Sequence, residues 1–135
     1  MRVCLDATVL FSASNGGSNI ARLMEWLSQR GTAVSSDLAV EEARRNLELK
    51  RPHWLGEFER VRSRLDLVSA AQFTLPVPLD PKDVPLLCAA IASKCEHFVT
   101  GDKRDFGHLD RQTVLGVQVI SLLRLAQLLA AQAAR

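Results

Sequence analysis

Short apolar segments alternate along the chain with longer segments that have the spacing of amphipathic helices. Five short segments are rich in β-branched and apolar residues, as buried strands are: "RVCLD" (2–6), "TAVSS" (32–36), "LDLVS" (65–69), "HFVT" (97–100) and "GVQVIS" (116–121). Strands that alternate with helices favour βαβ units, in which helices cover both faces of a parallel sheet. The order of elements therefore predicts an α/β fold, a three-layer α/β/α sandwich with a central parallel sheet of about five strands.

Capping residues predict where the intervening helices begin and end. Ser18 can cap a helix that Gly31 ends, and Ser36 or Asp37 opens a second helix that extends to about Leu49. The apolar stripe of the first helix consists of Ile20, Leu23, Met24 and Leu27. Three further helices are predicted to start at Pro52, at Asp80-Pro81 and at Ser121.

The length, composition and net charge of the chain are those of an ordinary globular protein, and they exclude several classes of protein. The chain has 135 residues, 47% of them hydrophobic and 24% charged, which predicts one domain over residues 1–135. A net charge of +2 permits a nucleic-acid partner without indicating one. Cys4, Cys88 and Cys95 show neither metal spacing nor a disulfide pattern, so we expect a reducing cytoplasm and a core role for them. We expect no signal peptide and no membrane span, because charged residues interrupt every apolar run.

Acidic residues follow the predicted strands at the positions where ligands bind in open parallel sheets. Such ligands lie outside the carboxyl ends of the strands. By this rule one rim of the sheet gathers Asp6 after the first strand, Asp102 and Asp105 after the fourth, Asp83 in the helix before the fourth, and Glu41 and Glu42 in the helix after the second. The order of elements thus predicts an acidic pocket.

An acidic pocket needs cations or protons. Two carboxylates about 5 Å apart repel by roughly 3 kcal/mol at an effective dielectric near 20. Oxygen ligands favour the hard cations Mg²⁺ and Mn²⁺, which commonly serve phosphoryl chemistry.

Each acid also has a structural alternative. Asp102 and Asp105 are equally typical of turns, Asp83 has the spacing of a capping acid after Asp80, and one of Glu41 and Glu42 is expected to be a solvated helix charge.

Three blocks of the sequence resemble the PIN domain family. "MRVCLDATVLFSA" is similar to the family's strand that ends in aspartate and is followed by a small polar pair and an apolar helix start. "VSSDLAVEEARRNL" resembles its second block, in which Glu42 matches the family's glutamate. "LDPKDVPLLCAAIASKCEHFVTGDKRDFG" resembles the block that ends in T-G-D-x-x-D-[FL]. The resemblance covers about residues 2–121.

The resemblance implies a fold, an activity and a site. The fold is a Rossmann-like α/β/α sandwich, and the activity is that of an endoribonuclease that uses Mg²⁺ or Mn²⁺ and leaves a 5′-phosphate and a 3′-hydroxyl. Many bacterial members are VapC-like toxins, which implies RNA as substrate, a cognate antitoxin and a homodimer as partners, and a cytoplasmic location. By position the metal ligands would be Asp6, Glu42, Asp83 and Asp102, with Asp105 as a further catalytic acid and with Thr100 and Thr8 in support.

Two other functions stay open. The family usually has Thr-Asn or Ser-Ser where this chain has Ala7-Thr8, so a PIN fold retained as a binding or assembly module is one alternative. A phosphatase of the haloacid dehalogenase type is the other, because "LDATV" and "GDKRD" echo its motifs. That family, however, needs an aspartate two residues after the first, where this chain has Thr8.

Basic and aromatic residues near these blocks are candidates for contacts with RNA. Those that can reach backbone phosphates are Lys103, Arg104, Arg44, Arg45, Lys50 and Arg51. At least half of them are expected to be solvated charges. Trp54 can stack on a base, although its place in an apolar stripe favours packing in the core.

Overall fold

The computed structural model describes residues 1–133 and contains all five predicted strands. The strands are β1 (Arg2–Leu5), β2 (Thr32–Ser36), β3 (Asp66–Val68), β4 (His97–Val99), β5 (Thr113–Val114) and β6 (Val117–Ile120). The helices are α1 (Ala7–Ala13), α2 (Asn19–Arg30), α3 (Asp37–Lys50), α4 (Leu55–Ser63), α5 (Val84–Ala92), α6 (Lys103–Phe106) and α7 (Leu122–Ala133). Single turns of 3₁₀ helix occupy Pro52–Trp54 and Gly107–Leu109.

The strands form one mixed sheet in the order β3-β2-β1-β4-β6-β5. The pairs among β3, β2, β1, β4 and β6 are all parallel, and β5 alone pairs in the antiparallel direction. The predicted α/β/α class is confirmed, with a sixth strand at the edge. Strand β5 has only two residues, too few for a periodic signal. It is joined to β6 by Leu115 and Gly116, whose φ angles of 47° and 91° give the left-handed conformations of a tight hairpin turn.

The core lies on both faces of the central strands. In β1 the side chains of Val3, Cys4 and Leu5 are all buried, although neighbouring side chains point to opposite faces. Phe98 and Val99 of β4 are buried in the same way. Because both faces are covered, these strands are continuous apolar runs rather than alternating ones. The three cysteines are free and buried, as expected.

Two helices were not evident from periodicity. Helix α1 has seven residues, begins directly after Asp6 and is apolar on most of its surface, so it has no amphipathic stripe; the resemblance to the PIN domain did imply a helix start there. Helix α6 has four residues and lies where a turn was the alternative. The other predicted helices are present, but α5 starts at Val84 after a turn at residues 81–83, and the helix predicted from Pro52 begins as a 3₁₀ turn.

The direction of the chain across the sheet reverses between β1 and β4. From β1 the chain runs outward through β2 to β3, and it then crosses back to place β4 on the other side of β1. In open α/β sheets ligands bind in the crevice outside the carboxyl ends of the strands at such a switch point. Among the helices within residues 1–133, none is both long and apolar enough to cross a membrane.

Candidate metal centre

Asp6 stands at the carboxyl end of β1 and is held by hydrogen bonds on both oxygens. Its Oδ1 accepts the N–H of Ala7 at 2.7 Å, which caps helix α1, and its Oδ2 accepts the hydroxyl groups of Thr100 at 2.7 Å and Thr8 at 3.2 Å. The side chain is only 4% exposed. Burial raises the pKa of Asp6 and the negative charge of Asp102 adds to that rise, whereas the three hydrogen bonds oppose it.

The two threonine hydroxyls also fix the loop that follows β4. Thr100 Oγ1 accepts the N–H of Asp102 at 3.0 Å, and Thr8 Oγ1 accepts the N–H of Gly101 at 3.0 Å. Each hydroxyl therefore donates to Asp6 and accepts from the loop, which ties the ends of β1 and β4 together. This geometry fits the supporting role that the resemblance implies for both threonines.

Asp83 carries a buried oxygen that has no hydrogen-bond partner. The residue lies immediately before α5 and is 6% exposed, and its Oδ2 is without a partner among the described residues. The local capping bond is made instead by Asp80, whose Oδ1 accepts the N–H of Lys82 at 3.0 Å. Asp83 itself occupies the N-cap position of α5, but its side chain makes no capping hydrogen bond.

The pKa of Asp83 is raised to about 7. Burial is the largest cause, and a hydrogen bond to Asp105, which requires a proton on Asp83, is the second. The ammonium group of Lys82 opposes the rise. An ionised Asp83 thus lacks a donor of its own, and a proton or a cation is needed to neutralise it.

Asp102 and Asp105 complete an acidic cluster with Asp83. One carboxylate oxygen from each of the three lies within 4.8 Å of the other two. Asp102 Oδ1 also accepts the N–H of Asp105 at 3.0 Å and so caps α6, which means that Asp102 is a helix cap as well as a member of the cluster. Asp105 Oδ2 pairs with Lys82 Nζ at 2.7 Å, and this hydrogen bond is the main cause that lowers the pKa of Asp105.

Glu42 faces the cluster from α3, and Glu41 does not. Burial and then the negative charge of Asp6 raise the pKa of Glu42, so its carboxylate lies close to the acidic group. Both glutamates are exposed, but Glu41 pairs with Arg44 at 3.6 Å and does not line the cavity over the acids, whereas Glu42 does. The expectation that one of the two glutamates is a solvated helix charge agrees with this arrangement, and Glu42 is the one at the site.

A cavity of about 490 Å³ opens over these acids. Asp6, Glu42, Asp83 and Asp102 all line it, together with Thr8. Asp105 and Thr100 do not line it, but each contacts a residue that does: Asp105 pairs with Lys82, and Thr100 donates a hydrogen bond to Asp6. The remaining lining residues are Ala7, Phe11, Ser12, Asn46, Lys50, Arg51, Trp54 and Lys82.

The basic residues proposed from the sequence separate into three groups. Lys50 and Arg51 line the acidic cavity, and Lys103 lines a second cavity of about 630 Å³ on the other side of Asp102. Arg45 and Arg104 are exposed outside both cavities, although Arg45 is near enough to lower the pKa of Glu42. Arg44 is engaged with Glu41 and Glu59 and does not line either cavity.

Lys82 and Asn46 were not singled out from the sequence. The position of Lys82 between two aspartates, in "DPKDV", is a signal that a cation could neutralise them. Asn46 lies four residues after Glu42, and that spacing places both on the same face of α3.

Comparisons with known proteins identify the fold. No protein-family model matches the sequence, and no curated protein matches it. The structure is similar to a chain of VapBC2 from Rickettsia felis, solved bound to a DNA fragment from their promoter, with a TM-score of 0.66 and 14% identity over 90% of this chain and 98% of that chain. It is also similar to PAE2754 from Pyrobaculum aerophilum, with a TM-score of 0.60 and 19% identity over 100% of this chain and 91% of that one.

The resemblance to the PIN domain is thereby confirmed at the level of the fold. Two solved structures match nearly the whole chain, with TM-scores that show a shared fold. The site itself contains oxygen donors from carboxylates and hydroxyls, which is the ligand set that hard divalent cations prefer. The acidic cluster can hold such a metal ion.

Proposed function

We propose that this protein is an endoribonuclease that depends on Mg²⁺ or Mn²⁺ and acts as the toxin of a toxin–antitoxin pair. The observation that carries the proposal is the buried, unpartnered Oδ2 of Asp83, in a cluster whose three ligand oxygens lie within 4.8 Å of one another. Burying such a group costs free energy unless a charge compensates it. A divalent cation provides that charge and uses the orphaned oxygen as a ligand.

The residues present fit such a cation. Asp83 and Asp102 would hold it, Asp105 is within reach of both, and Asp6 and Glu42 face the same cavity. When bound, a cation of this kind activates water and neutralises the charge that develops on a phosphodiester. A preference for Mg²⁺ or Mn²⁺ follows from the oxygen ligands, because no histidine or cysteine is among the described residues that line the cavity.

The protein's own contribution is to hold the acids in place and to bind the phosphates. Thr8 and Thr100 fix the carboxylate of Asp6 through hydrogen bonds of 3.2 and 2.7 Å. Lys50 and Arg51 lie in the same cavity as the acids, so they can bind a phosphate next to the one that is cleaved. Lys82 lines the same cavity, pairs with Asp105 and partly offsets the negative charge that would repel RNA.

The toxin assignment rests on the resemblance to VapC-like proteins together with the fold. A cognate antitoxin and a second copy of the chain are the partners that we propose, and RNA is the substrate. A cytoplasmic location follows from the same assignment.

One observation favours the alternative of a non-catalytic PIN-fold module. Ala7 replaces a polar residue next to Asp6 and is 3% exposed, so the site lacks one hydrogen-bonding side chain. The phosphatase alternative is not favoured, because Thr8 stands where that family needs a second aspartate and donates its hydroxyl to Asp6.

Cleavage of RNA by purified variants tests the proposal. With Mn²⁺ present, we expect Asp83→Asn and Asp102→Asn to lower the cleavage rate at least about 100-fold, because each removes a charged ligand while keeping shape. EDTA should abolish cleavage by the wild type. The matched control is Asp110→Asn, which changes an exposed aspartate outside the acidic cavity. Equal cleavage by wild type and both site variants would show that the proposal is wrong.

A non-catalytic module and a nuclease differ in a second measurement. Calorimetric titration with Mn²⁺ should show binding to the wild type and weaker binding to Asp83→Asn. Absence of Mn²⁺ binding despite the intact acids would favour the module, and Mn²⁺-dependent cleavage of RNA would exclude it.

A further inference from the structure

One face of α3 forms a floor that leads from the acidic cluster to the aromatic end of the cavity. Glu42, Asn46 and Lys50 follow one another at intervals of four residues, and all three line the cavity. This spacing places them in a row along one face of the helix, about 12 Å long at 1.5 Å per residue. Arg51 and Trp54 line the cavity beyond the end of that row.

Trp54 is held in place but is not enclosed. It packs edge-to-face on Phe11 with ring centroids 5.6 Å apart, and the guanidinium group of Arg51 lies 5.6 Å from its ring centroid. Phe58, one turn later in the same apolar stripe, is fully buried, whereas Trp54 remains only half-buried. The structure therefore leaves part of a large, fixed aromatic side chain in the wall of a polar cavity.

The charge changes sign along this cavity. Its inner end carries Asp6, Glu42, Asp83 and Asp102, whose negative charge the single cation Lys82 only partly offsets, and its outer end carries Lys50 and Arg51 next to the aromatic ring. The inner end is suited to a cation and the outer end to a phosphate and a flat ring. A ligand that combines phosphates with a flat ring is a nucleotide.

We infer that Trp54, together with Arg51 and Lys50, forms a subsite for an unpaired nucleobase of the RNA substrate next to the phosphate that is cleaved. The inference rests on the proposed nuclease function and adds the way in which its substrate is held. Aromatic rings and guanidinium groups are the surfaces on which unpaired bases stack. A base in a duplex has both faces covered by its neighbours, so the subsite selects single-stranded segments. Asn46 lies between this subsite and the acids, where its amide can donate to or accept from the edge of the base.

The chain contains a matched control for this inference. Trp26 is also half-buried and also has an arginine over its ring, with the guanidinium group of Arg30 at 5.1 Å, but it lines an apolar groove between α2 and α7 that contains none of the site acids. The sequence has no other tryptophan. Each tryptophan can therefore be studied alone by replacing the other with phenylalanine.

Tryptophan fluorescence in an Asp102→Asn background, which keeps the RNA intact, tests the inference directly. We expect a short unpaired RNA oligonucleotide to quench Trp54 in the Trp26→Phe protein and to leave Trp26 unchanged in the Trp54→Phe protein. Anisotropy of a dye on the RNA shows independently that the protein is saturated. The same oligonucleotide annealed to its complement should produce little quenching of Trp54. Unchanged Trp54 fluorescence at saturation with unpaired RNA would overturn the inference.

Affinity provides a second measurement. Trp54→Leu keeps an apolar side chain against Phe11 but removes the stacking surface, so we expect it to weaken RNA binding about 5- to 150-fold, while Trp26→Leu changes it less than about twofold. Circular dichroism and Tm must show that both variants are folded. A folded Trp54→Leu protein that keeps wild-type affinity also overturns the subsite.

The outcomes separate this inference from the proposed function. If the wild type cleaves RNA with Mn²⁺ and Trp54 is insensitive to RNA, the subsite is wrong and the nuclease proposal stands. If the wild type does not cleave RNA but Trp54 is quenched by unpaired RNA, the nuclease proposal is wrong and the base-binding subsite stands.

Discussion

Thr100 donates its hydroxyl proton to Oδ2 of Asp6 across a distance of 2.7 Å and joins the ends of two neighbouring parallel strands. The same oxygen of Thr100 accepts the N–H of Asp102. One buried hydroxyl therefore positions two of the proposed site acids. Because Thr100 is only 8% exposed, water cannot readily replace either hydrogen bond.

Replacing Thr100 with valine should affect both stability and activity. Thr100→Val keeps the shape but removes the shorter of the two hydrogen bonds to Oδ2 of Asp6 and leaves the Asp102 N–H without its partner, so we expect the free energy of unfolding to fall by about 1–3 kcal/mol. We expect RNA cleavage to fall about tenfold or more, because the two acids lose their common anchor. Thr100→Ser keeps the hydroxyl and should retain most of the activity. Urea unfolding and cleavage rates measure both effects, and wild-type activity in Thr100→Val would contradict the positioning role.

The raised pKa of Asp83 predicts how stability depends on pH without metal. Burial gives the folded state a pKa of about 7, well above the ordinary value of 3.8, so the folded protein holds this proton more tightly than the unfolded chain. Its favourable contribution is complete below about pH 4 and is lost as the pH rises through about 7. Asp83→Asn should therefore resemble the wild type near pH 4. At pH 8 in EDTA it should be more stable by about 1–3 kcal/mol.

Thermal unfolding between pH 4 and pH 8 measures this difference. Asp110→Asn is the control, and its curve should follow that of the wild type because the exposed residue lies outside the acidic cluster. Saturating Mn²⁺ should raise the Tm of the wild type more than that of Asp83→Asn. If Asp83→Asn has a lower Tm than the wild type at pH 8 in EDTA, the ionised carboxylate of Asp83 does not destabilise the folded protein, and the prediction is wrong.

The sequence was sufficient to predict where the acids converge. Asp6 and Asp102 follow strands whose apolar runs are unambiguous, and the ends of parallel strands necessarily share one rim. Choosing Glu42 over Glu41 needed the resemblance, because two neighbouring helical residues differ only in the direction in which they point. Helix α6 and strand β5 were too short for a periodic signal.

Contacts between distant segments were beyond sequence reasoning. The ion pair of Lys82 with Asp105 joins residues on either side of β4, and no local spacing indicates it. The partial exposure of Trp54 was likewise not predictable, because Trp54 and Phe58 belong to the same apolar stripe, which predicts that both are buried. Only the packing of α1 beside α4 decides that Trp54 lies at the edge of a cavity.

The two adjacent glutamates of α3 provide a matched pair for the metal site. Glu42→Gln removes a negative charge from the cavity, and Glu41→Gln removes one from the outer surface. We expect Glu42→Gln to weaken Mn²⁺ binding and RNA cleavage about tenfold or more, while Glu41→Gln changes each less than about twofold. Calorimetry and cleavage rates distinguish them. Equal effects of the two substitutions would show that Glu42 has no special place in the site.

Removing Lys82 should have the opposite effect on metal binding from removing one of the acids, and it should have little effect on stability. Its pair with Asp105 is short, but the lysine is largely exposed, and exposed ion pairs contribute little to stability. Lys82→Gln should therefore change the free energy of unfolding by less than about 1 kcal/mol. Removing the positive charge makes the cluster more negative and frees Asp105, so Mn²⁺ should bind a few times more tightly. Lys103→Gln, at the second cavity, is the control for a lost charge that makes no pair with the cluster. Weaker binding of Mn²⁺ by Lys82→Gln than by Lys103→Gln would mean that Lys82 organises the cluster rather than competing with the cation for it.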